Sequence, residues 1–473
     1  MRWKTTLVLI LAVLGLGAYI SRIELRRPTA EQRVELTKRI LDLSPDAVTR
    51  LAIDVPQAKV ALVRAGERWM LVPQHVRADG ALIEGVLAQL APLEAERVLT
   101  PDAAHPLSPG AYGLDPAIGR LTLTADGIST TLLFGDTTPI GNNRYVQLAG
   151  RPELFIVSGA SFDALNQPAS AFRNPRLLEL SGWQLDTLSA SSDRGTVSLT
   201  RGDRTWMLTQ PLADRADPAE LSALLQRLAK LRIQRFVTDA PQERPAAWGF
   251  DRPTAEFRLR QRETASDLVL TFGAPLPDDA ALLYATRSDE PSVYAVSAPE
   301  LTALLMDPNG LRAKTCFDFV PGQIREAEVA WQGKTWGAAR NETGWKERET
   351  GAVLDATAVE RWLGAAAELR LGGFLEEQPS DLARYGLQPP VGSLTVWVNG
   401  QDAPQRLLLG SPIDSSKNRY GRIEGRSAVV RLPEEADALL AVHPQQLAAP
   451  AVSATAPKSA GGPATPAAAR SGE

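Results

Sequence analysis

The 473-residue chain is poor in the residues that build most redox and metal centres. Cys316 is the only cysteine, which excludes an intramolecular disulfide and any zinc or iron–sulfur site that needs several thiolates. The three histidines, His75, His105 and His443, are far apart in the sequence, so histidine-based metal or acid–base chemistry is not expected. We therefore expect neither a cofactor nor a metal.

The recognisable catalytic and nucleotide-binding motifs are also missing from the sequence. It contains no Walker-type phosphate loop, no G-x-S-x-G, no H-E-x-x-H and no EF-hand loop. The formal net charge is −4, and this balance gives no basic footprint for nucleic acid. Together these absences predict a protein that is not an enzyme and does not bind nucleic acid.

What the sequence does contain is a short motif that occurs three times. Each copy has an aromatic residue, a glycine, a large apolar residue, Asp or Gln, and a proline within four positions of the glycine. The three copies begin at Tyr112-Gly113, Trp248-Gly249 and Tyr385-Gly386. The glycines are 136 residues (113 to 249) and 137 residues (249 to 386) apart. This spacing indicates three copies of one structural unit.

The motif is typical of a packed turn. Glycine adopts positive φ without strain, and the nearby proline fixes φ on the way into the next strand. We therefore interpret Tyr112, Trp248 and Tyr385 as aromatic residues that pack under a turn. The alternative, in which they form a set of ligand-stacking side chains, is less favoured.

Each unit has the same order of predicted elements. Alternating apolar residues predict three strands before the motif, with a tryptophan (Trp69, Trp206 or Trp345) near a glycine turn. Apolar residues at helical spacing then predict an amphipathic helix, whose first copy carries Ile83, Val86, Leu87, Leu90 and Leu93. Four strands and a short helix follow the motif. The predicted fold class is α+β, with antiparallel sheets and helices packed on one face.

The periodicity divides the chain into six segments. They are a cytoplasmic tip and transmembrane anchor at 1–21, a juxtamembrane helix or linker at 22–45, repeat units at 46–180, 181–317 and 318–446, and a disordered Ala/Pro-rich tail at 447–473. The third unit departs most from the pattern, since Trp331 and Trp336 are additional there. Terminal repeats are often atypical because they cap an array.

The first segment contains an apolar run from Trp3 to Ile20, in which Lys4 and two threonines are the only polar residues. At about 1.5 Å per residue this run spans roughly 27 Å, enough to cross the hydrocarbon core of a bilayer. A cleaved signal peptide is the alternative, although no clean cleavage site follows. We favour an uncleaved single-pass anchor in the inner membrane, with the bulk of the chain in the periplasm.

Two polar loops are the best candidates for ligand binding. Each places an arginine beside a tyrosine, as Arg144-Tyr145 in the first unit and Arg419-Tyr420 in the third. Sites for sugars or anions use such pairs. However, Leu283 stands at the arginine position of the second unit, so a purely structural role for these residues is the competing interpretation.

The turn motif after a leucine-rich helix, followed by a Phe-Gly step and a Tyr-Val strand, resembles the bacterial family called domain of unknown function 4340. The resemblance covers residues from about 45 to 445 in three copies. It implies a single-anchor envelope protein, since members are typically of this kind. Many are encoded beside an ABC-type permease and a gliding-motility-like auxiliary subunit, and the resemblance implies no catalytic residues.

Two functions follow from these observations as expectations. The first is a membrane-anchored, extracytoplasmic, non-enzymatic scaffold or accessory component of an envelope or ABC-transport system, with a permease, an ATPase and an auxiliary subunit as partners. The alternative is an envelope protein that binds a polysaccharide or peptidoglycan fragment through the Arg-Tyr loops.

Overall fold

A computed structural model describes residues 38–41, 43–101, 107–179, 185–203, 205–239, 245–262, 266–413 and 417–449. The predicted anchor at 1–21 lies outside these residues, as do most of the predicted linker at 22–45 and positions 450–473 of the tail. None of the helices within the described ranges combines the length and the apolar character needed to cross a membrane.

The first antiparallel sheet has nine strands in the order β4-β3-β2-β1-β6-β7-β8-β9-β5. The strands are β1 (Val48–Val55), β2 (Ala58–Ala65), β3 (Arg68–Val72), β4 (Val76–Arg77), β5 (Arg97–Leu99), β6 (Gly119–Ala125), β7 (Ile128–Thr137), β8 (Asn143–Leu148) and β9 (Leu154–Ser158). Helix α1 (Gly80–Leu90) connects β4 to β5, and helix α2 (Ala160–Leu165) follows β9.

The second sheet repeats this order as β13-β12-β11-β10-β15-β16-β17-β18-β14. Its strands are β10 (Leu185–Ser192), β11 (Gly195–Arg201), β12 (Trp206–Gln210), β13 (Asp214–Arg215), β14 (Ile233–Thr238), β15 (Ala255–Gln261), β16 (Leu268–Pro275), β17 (Leu282–Arg287) and β18 (Val293–Ser297). Helix α3 (Pro218–Lys230) corresponds to α1, and the short helices α4 (Ala298–Thr302) and α5 (Pro308–Leu311) follow β18.

The third sheet has the same topology, β22-β21-β20-β19-β24-β25-β26-β27-β23. Its strands are β19 (Ile324–Trp331), β20 (Lys334–Asn341), β21 (Gly344–Glu347), β22 (Val353–Leu354), β23 (Gly373–Glu376), β24 (Gly392–Val398), β25 (Gln405–Pro412), β26 (Arg419–Ile423) and β27 (Val429–Leu432). Helices α6 (Ala356–Glu368) and α7 (Glu435–Leu440) occupy the places of α1 and α2.

By spatial clustering the chain forms two compact units. The first contains the described residues of Met1–Arg204, Thr209–Pro211 and Ala219–Met306, and so includes the first sheet and most of the second. The second contains the described residues of Thr205–Leu208, Leu212–Pro218 and Asp307–Glu473, and so includes β13 and the third sheet.

Alternation along the strands explains how each sheet buries one face. In β1 the buried residues include Leu51 and Ile53, which lie opposite Leu123 and Leu121 of β6. The corresponding pairs at 257 and 259 and at 394 and 396 are also buried, so the same alternation recurs in all three sheets. The apolar stripe of α1 belongs to the same core cluster as these strand residues of the first sheet. The helix therefore covers the face that alternation makes apolar.

The prediction of three strands, a helix, four strands and a helix is wrong by two strands per repeat. Each sheet also contains a two-residue strand before the long helix (β4, β13, β22) and a short strand after it (β5, β14, β23). Both kinds lie at the edges of the sheet, where only one side of a strand is paired and few apolar residues are needed. The three repeated antiparallel sheets are confirmed, and strands dominate over the few helices.

Candidate functional site

The three turn motifs adopt the same backbone conformation. Gly113, Gly249 and Gly386 have φ of 65°, 75° and 67°, in the left-handed region that favours glycine. Each glycine follows a short 3-10 helix, at Pro109–Tyr112, Ala246–Trp248 and Ala383–Tyr385. A strand lies between the long α-helix and this turn, so the glycine does not end the long helix as the sequence suggests.

Each turn is seated on a second glycine, in the strand that carries the Phe-Gly step or its Leu-Gly counterpart. A Cβ added to Gly135 would lie 2.1 Å from the carbonyl oxygen of Tyr112. The same distance is 2.0 Å between Gly273 and Trp248, and 2.1 Å between Gly410 and Tyr385. The two sequence motifs of each repeat are therefore two halves of one contact, which only a residue without a side chain allows.

The aromatic residue of each turn packs on a tyrosine of the same repeat. Ring centroids are 4.8 Å apart for Tyr112 and Tyr145, 5.5 Å for Trp248 and Tyr284, and 4.9 Å for Tyr385 and Tyr420. Aromatic pairs at such separations stabilise a fold beyond the area they bury. This geometry agrees with the interpretation of Tyr112, Trp248 and Tyr385 as packed turn residues.

The two candidate arginines occupy equivalent positions and point toward their own sheets. Arg144 donates from Nη1 to the carbonyl oxygen of Gly135 at 2.7 Å, and its guanidinium lies 3.9 Å from the centroid of Phe162. Arg419 donates from Nη1 to the carbonyl oxygen of Gly410 at 3.2 Å. Both arginines therefore hold the strand glycine that seats the turn. Burial lowers the pKa of the Arg144 guanidinium, with Asp163 opposing that effect.

Arg419 makes two further contacts within the third repeat. It is ion-paired to Asp437 of α7 and lies 5.3 Å from the centroid of Trp331, one of the additional tryptophans of this repeat. In the second repeat the buried Leu283 fills the corresponding place with apolar atoms. There the hydroxyl of Thr254 donates to the carbonyl of Gly273 at 2.8 Å, so a threonine replaces the hydrogen bond and the leucine replaces the packing of the arginine.

A polar cavity of about 510 Å³ lies beside Arg419. Its wall includes Lys417, Glu434 and Glu435, and Lys417 is paired to Glu434 at 2.7 Å. The Lys417 side chain is 82% exposed, so this pair is accessible to a solute. Residues 415 and 416 of the predicted binding loop lie outside the described residues.

The residues between successive sheets form a second kind of site, which the sequence analysis did not find. We call residues 173–178 and 312–317 the connectors. In the first, the Asn174 amide donates to the carbonyl of Arg77 at 3.0 Å, and the Leu177 amide donates to the carbonyl of Leu231 at 3.1 Å. We call the edge strands β4 and β13 the outgoing edges of their repeats, and the edge strands β14 and β23 the incoming edges of the repeats that follow. Each connector is therefore bonded at the outgoing edge of one repeat and at the incoming edge of the next.

Beside the first connector, buried charged side chains link the first repeat to the second. We call this cluster of side chains the first joint. Arg77 of β4 donates from Nε to Glu290 Oε1 at 3.1 Å, and the two side chains are 9% and 5% exposed. Arg287 lies 3.1 Å from the same Glu290 oxygen and 2.7 Å from Asp289. Burial alone would lower the pKa of Arg287, but the bond and the negative charge of Asp289 outweigh it and leave the pKa raised.

The second connector has a corresponding cluster, the second joint, which lies within the second compact unit. Asp214 of β13 is 1% exposed and accepts from Arg312 Nε at 2.6 Å and from Arg426 Nη2 at 2.8 Å. Burial lowers the pKa of the neighbouring Arg215, and the positive charge of Arg426 lowers it further. The single buried carboxylate of Asp214 thus balances two buried guanidiniums.

Two contacts are shared by both joints. A connector arginine, Arg173 or Arg312, lies over a phenylalanine of the incoming edge, at 3.9 Å from Phe236 or 3.3 Å from Phe374. The same arginine is paired to an acid that follows that edge strand, Asp239 or Glu377. Arg173 and Arg312 are 139 residues apart in the sequence, a repeat spacing that could have revealed these residues.

The third repeat also has an apolar cleft of about 920 Å³ between α6 and α7. Trp362, Leu439 and Leu447 line it, and Arg361 and Glu368 are among the charged residues at its wall. Trp362 donates from Nε1 to the carbonyl of Leu439 at 3.0 Å, which fixes the ring in the cleft wall. Leu447 is 5% exposed, so the ordered core of the repeat continues past the predicted boundary at 446.

Cys316 lies in the second connector and is 1% exposed. Burial raises the pKa of its thiol to about 12, while the charges of Arg426 and Arg215 act in the opposite direction. Over the described ranges, the structure brings no three His, Cys, Asp or Glu side chains into a group suited to a metal ion.

Comparison with known proteins adds a family assignment. The sequence model of the domain of unknown function DUF4340 matches residues 69–253, 206–355 and 347–460. The first two matches begin at Trp69 and Trp206, the equivalent tryptophans of β3 and β12. No curated protein and no solved structure matches the chain. Since these matches together extend from residue 69 to residue 460, the chain belongs to the DUF4340 family.

Proposed function

We propose that this chain is a non-enzymatic scaffold or accessory component of an envelope complex of the ABC-transport type. In this proposal the segment at 1–21 is a single transmembrane helix in the inner membrane, and the three repeats lie in the periplasm. The apolar run from Trp3 to Ile20 supports the anchor, because its length is sufficient for one crossing.

The observation that carries the proposal is the use of buried charge in the two joints. Asp214 is bonded to both Arg312 and Arg426, and each of the three side chains is at most 6% exposed. Losing one partner of such a buried pair typically costs about 3–5 kcal/mol, because the other charge is left without compensation. The chain thus uses buried charged side chains to hold connectors and edges together, as a scaffold requires.

Purification of the full-length protein from native membranes in mild detergent tests this proposal. We expect a permease and an ATPase to be recovered in near-stoichiometric amounts and identified by mass spectrometry. A matched purification of a variant with a disrupted joint, Asp214→Val, should recover less of both partners. Recovery of the parent protein alone would contradict the accessory role.

Binding of a polysaccharide or peptidoglycan fragment is the second candidate function. The cavity beside Arg419 favours it, because an exposed cation, Lys417, and two carboxylates converge there. Titration calorimetry with soluble peptidoglycan fragments should then detect binding that Lys417→Ala weakens. Lys334→Ala is the matched control, since Lys334 is exposed in the same repeat and lies outside the cavity wall. Absence of binding by the parent protein would exclude this candidate for these fragments.

A further inference from the structure

The two joints contain ion pairs of opposite polarity between an outgoing edge and the incoming repeat. In the first joint a positive residue of the outgoing edge, Arg77, faces a negative residue of the incoming repeat, Glu290. In the second joint the outgoing residue is negative, Asp214, and the incoming residue is positive, Arg426. The charge pair has been reversed between one joint and the next.

The strand register shows which positions correspond. Arg77 lies opposite Met70 and Arg215 lies opposite Met207, so the outgoing arginine is kept in both joints and Asp214 stands where the first repeat has Val76. Glu290 and Arg426 each precede by three residues the valine that begins the last long strand, Val293 or Val429, and are therefore equivalent. The second joint thus has an acid in place of Val76 and an arginine in place of Glu290.

The framework around the charges is the same in both joints. The amides of Leu177 and Cys316 donate to the carbonyls of Leu231 and Leu369, at 3.1 and 2.9 Å. The side chains of Arg77 and Arg215 each donate to a connector carbonyl, at 3.1 and 2.9 Å. Backbone geometry alone would therefore allow either incoming edge to follow either outgoing edge.

Charge opposes one of these exchanges. If the third repeat followed the first, Arg77 would face Arg426, and Val76 would stand where the carboxylate of Asp214 is needed. A second repeat that followed another second repeat is not excluded in this way, since Arg215 could bond Glu290 as Arg77 does. Like charges buried together without a counter-ion are strongly unfavourable, and such contacts discriminate against wrong partners.

The open ends of the array lack these residues. The outgoing edge of the third repeat has Ala352 and Val353 at the places of Asp214 and Arg215, and Ala448 pairs with Leu354 where Arg312 pairs with Ala216. The incoming edge of the first repeat has Val98 where the others have phenylalanine. At the place of Glu290 and Arg426 the first repeat has the exposed Arg151, three residues before Leu154. Only the outgoing charges are thus confined to the edges that meet a neighbouring repeat.

We propose that the charges of the two joints specify the order of the repeats, so that the outgoing edge of the first repeat accepts the incoming edge of the second repeat and rejects that of the third. This inference is independent of the proposed function, since it concerns how the repeats of one chain recognise one another during folding.

Converting the first joint to the charge pattern of the second tests the proposal in the full-length protein. Glu290→Arg alone should speed hydrogen exchange of the Leu177 and Ile233 amides by about 100-fold, because Arg77 and the introduced guanidinium then lack an acid, while Arg287 keeps Asp289. Adding Val76→Asp supplies the carboxylate that Asp214 provides in the second joint. The double variant should return both amides to within about ten-fold of the parent.

Two controls make the rescue specific. Ala352→Asp introduces the same acid at the equivalent edge of the third repeat and should not rescue Glu290→Arg. The Cys316 and Leu371 amides of the second joint should remain unchanged in all of these variants. If Val76→Asp and Glu290→Arg are each damaging and their effects simply add, the proposal is overturned.

Refolding tests whether the reversal enforces order. The reciprocal double variant, Asp214→Val with Arg426→Glu, gives both joints the pattern of the first. Its second joint should keep slow exchange at Cys316, since Arg215 then has an acidic partner. On dilution from denaturant into detergent solution, this variant should form several times more misassembled or domain-swapped species than the parent, measured by size exclusion with light scattering. An unchanged fraction would contradict a role in repeat order.

Discussion

The carbonyl oxygen of Tyr112 occupies the space that any side chain at Gly135 would need, since a Cβ there would lie 2.1 Å away. The same relationship joins Trp248 to Gly273 and Tyr385 to Gly410. Three repeats thus preserve one close approach between a turn and a strand. The motif that marks the repeats in the sequence is, in the structure, a packing contact.

Gly135→Ala should destabilise the first repeat, because the added methyl group must displace backbone. Overpacking typically costs about 1–3 kcal/mol, and we expect the upper end here. Gly85→Ala is the matched control, since Gly85 lies in α1 with no atom within 4 Å of an added Cβ. That change should stabilise by about 0.5–1 kcal/mol. Hydrogen exchange of β6 and β7 amides measures both, and equal effects would contradict the account.

Arg419→Leu should be tolerated better than Arg419→Ala. The arginine bonds the Gly410 carbonyl and Asp437, whereas in the second repeat Thr254 bonds the Gly273 carbonyl and Leu283 fills the space of the arginine. We expect Arg419→Ala to cost about 1–3 kcal/mol and Arg419→Leu to cost less, because leucine refills the space. Thermal unfolding of the full-length variants compares them. A leucine variant less stable than the alanine variant would show that the charge itself is required.

Cys316 gives the chain a specific dependence on alkaline pH. Its pKa is raised to about 12 in the folded state by burial, whereas an unfolded thiol ionises near about 8.5. Because the folded pKa is the higher one, this contribution to stability is complete below about pH 8.5 and is lost as the pH rises toward 12.

The difference in unfolding free energy between the parent and Cys316→Ala should therefore be constant from pH 6 to about 8. Above about pH 8.5 it should decrease by about 1.4 kcal/mol per pH unit. The native thiol should also resist a disulfide reagent at pH 8 and react once denaturant is added. Rapid reaction of the native protein, or a difference that does not change with pH, would show that the thiol is accessible or ionised.

The sequence predicted those elements whose side chains alternate or recur over several turns. The Leu121 and Leu123 pair and the stripe from Ile83 to Leu90 are buried as the period required. The edge strands at 76–77 and 97–99 escaped notice because three or fewer residues show no period. The joints escaped because Arg77 and Glu290 are 213 residues apart in the sequence, Asp214 and Arg426 are 212 apart, and only tertiary structure brings them together.

The roles of the two candidate arginines were harder to predict from the sequence than the fold was, and the reason is physical. Arg144 and Arg419 stand in polar loops beside tyrosines, a pattern that binding sites and packed strand ends share. Their bonds to the carbonyls of Gly135 and Gly410 could not be read from the sequence, because the partners are nine residues away on a neighbouring strand. The hydrogen bonds that give these two arginines a structural role therefore became evident only in the fold.

The location of the repeats is the central claim of the proposed function, since the scaffold role and the ligand-binding role both require it. Ile140 is 89% exposed, so Ile140→Cys places a reactive thiol on the surface. The native Cys316 is 1% exposed, so the parent protein serves as the negative control for labelling. A membrane-impermeant maleimide can then be applied to cells with a permeabilised outer membrane and an intact inner membrane.

We predict that Ile140→Cys is labelled as fully in these cells as after complete lysis, and that the parent protein is labelled in neither. This result would place the repeats on the periplasmic side of the inner membrane. Labelling of the variant only after lysis would place them in the cytoplasm and would contradict both functional proposals.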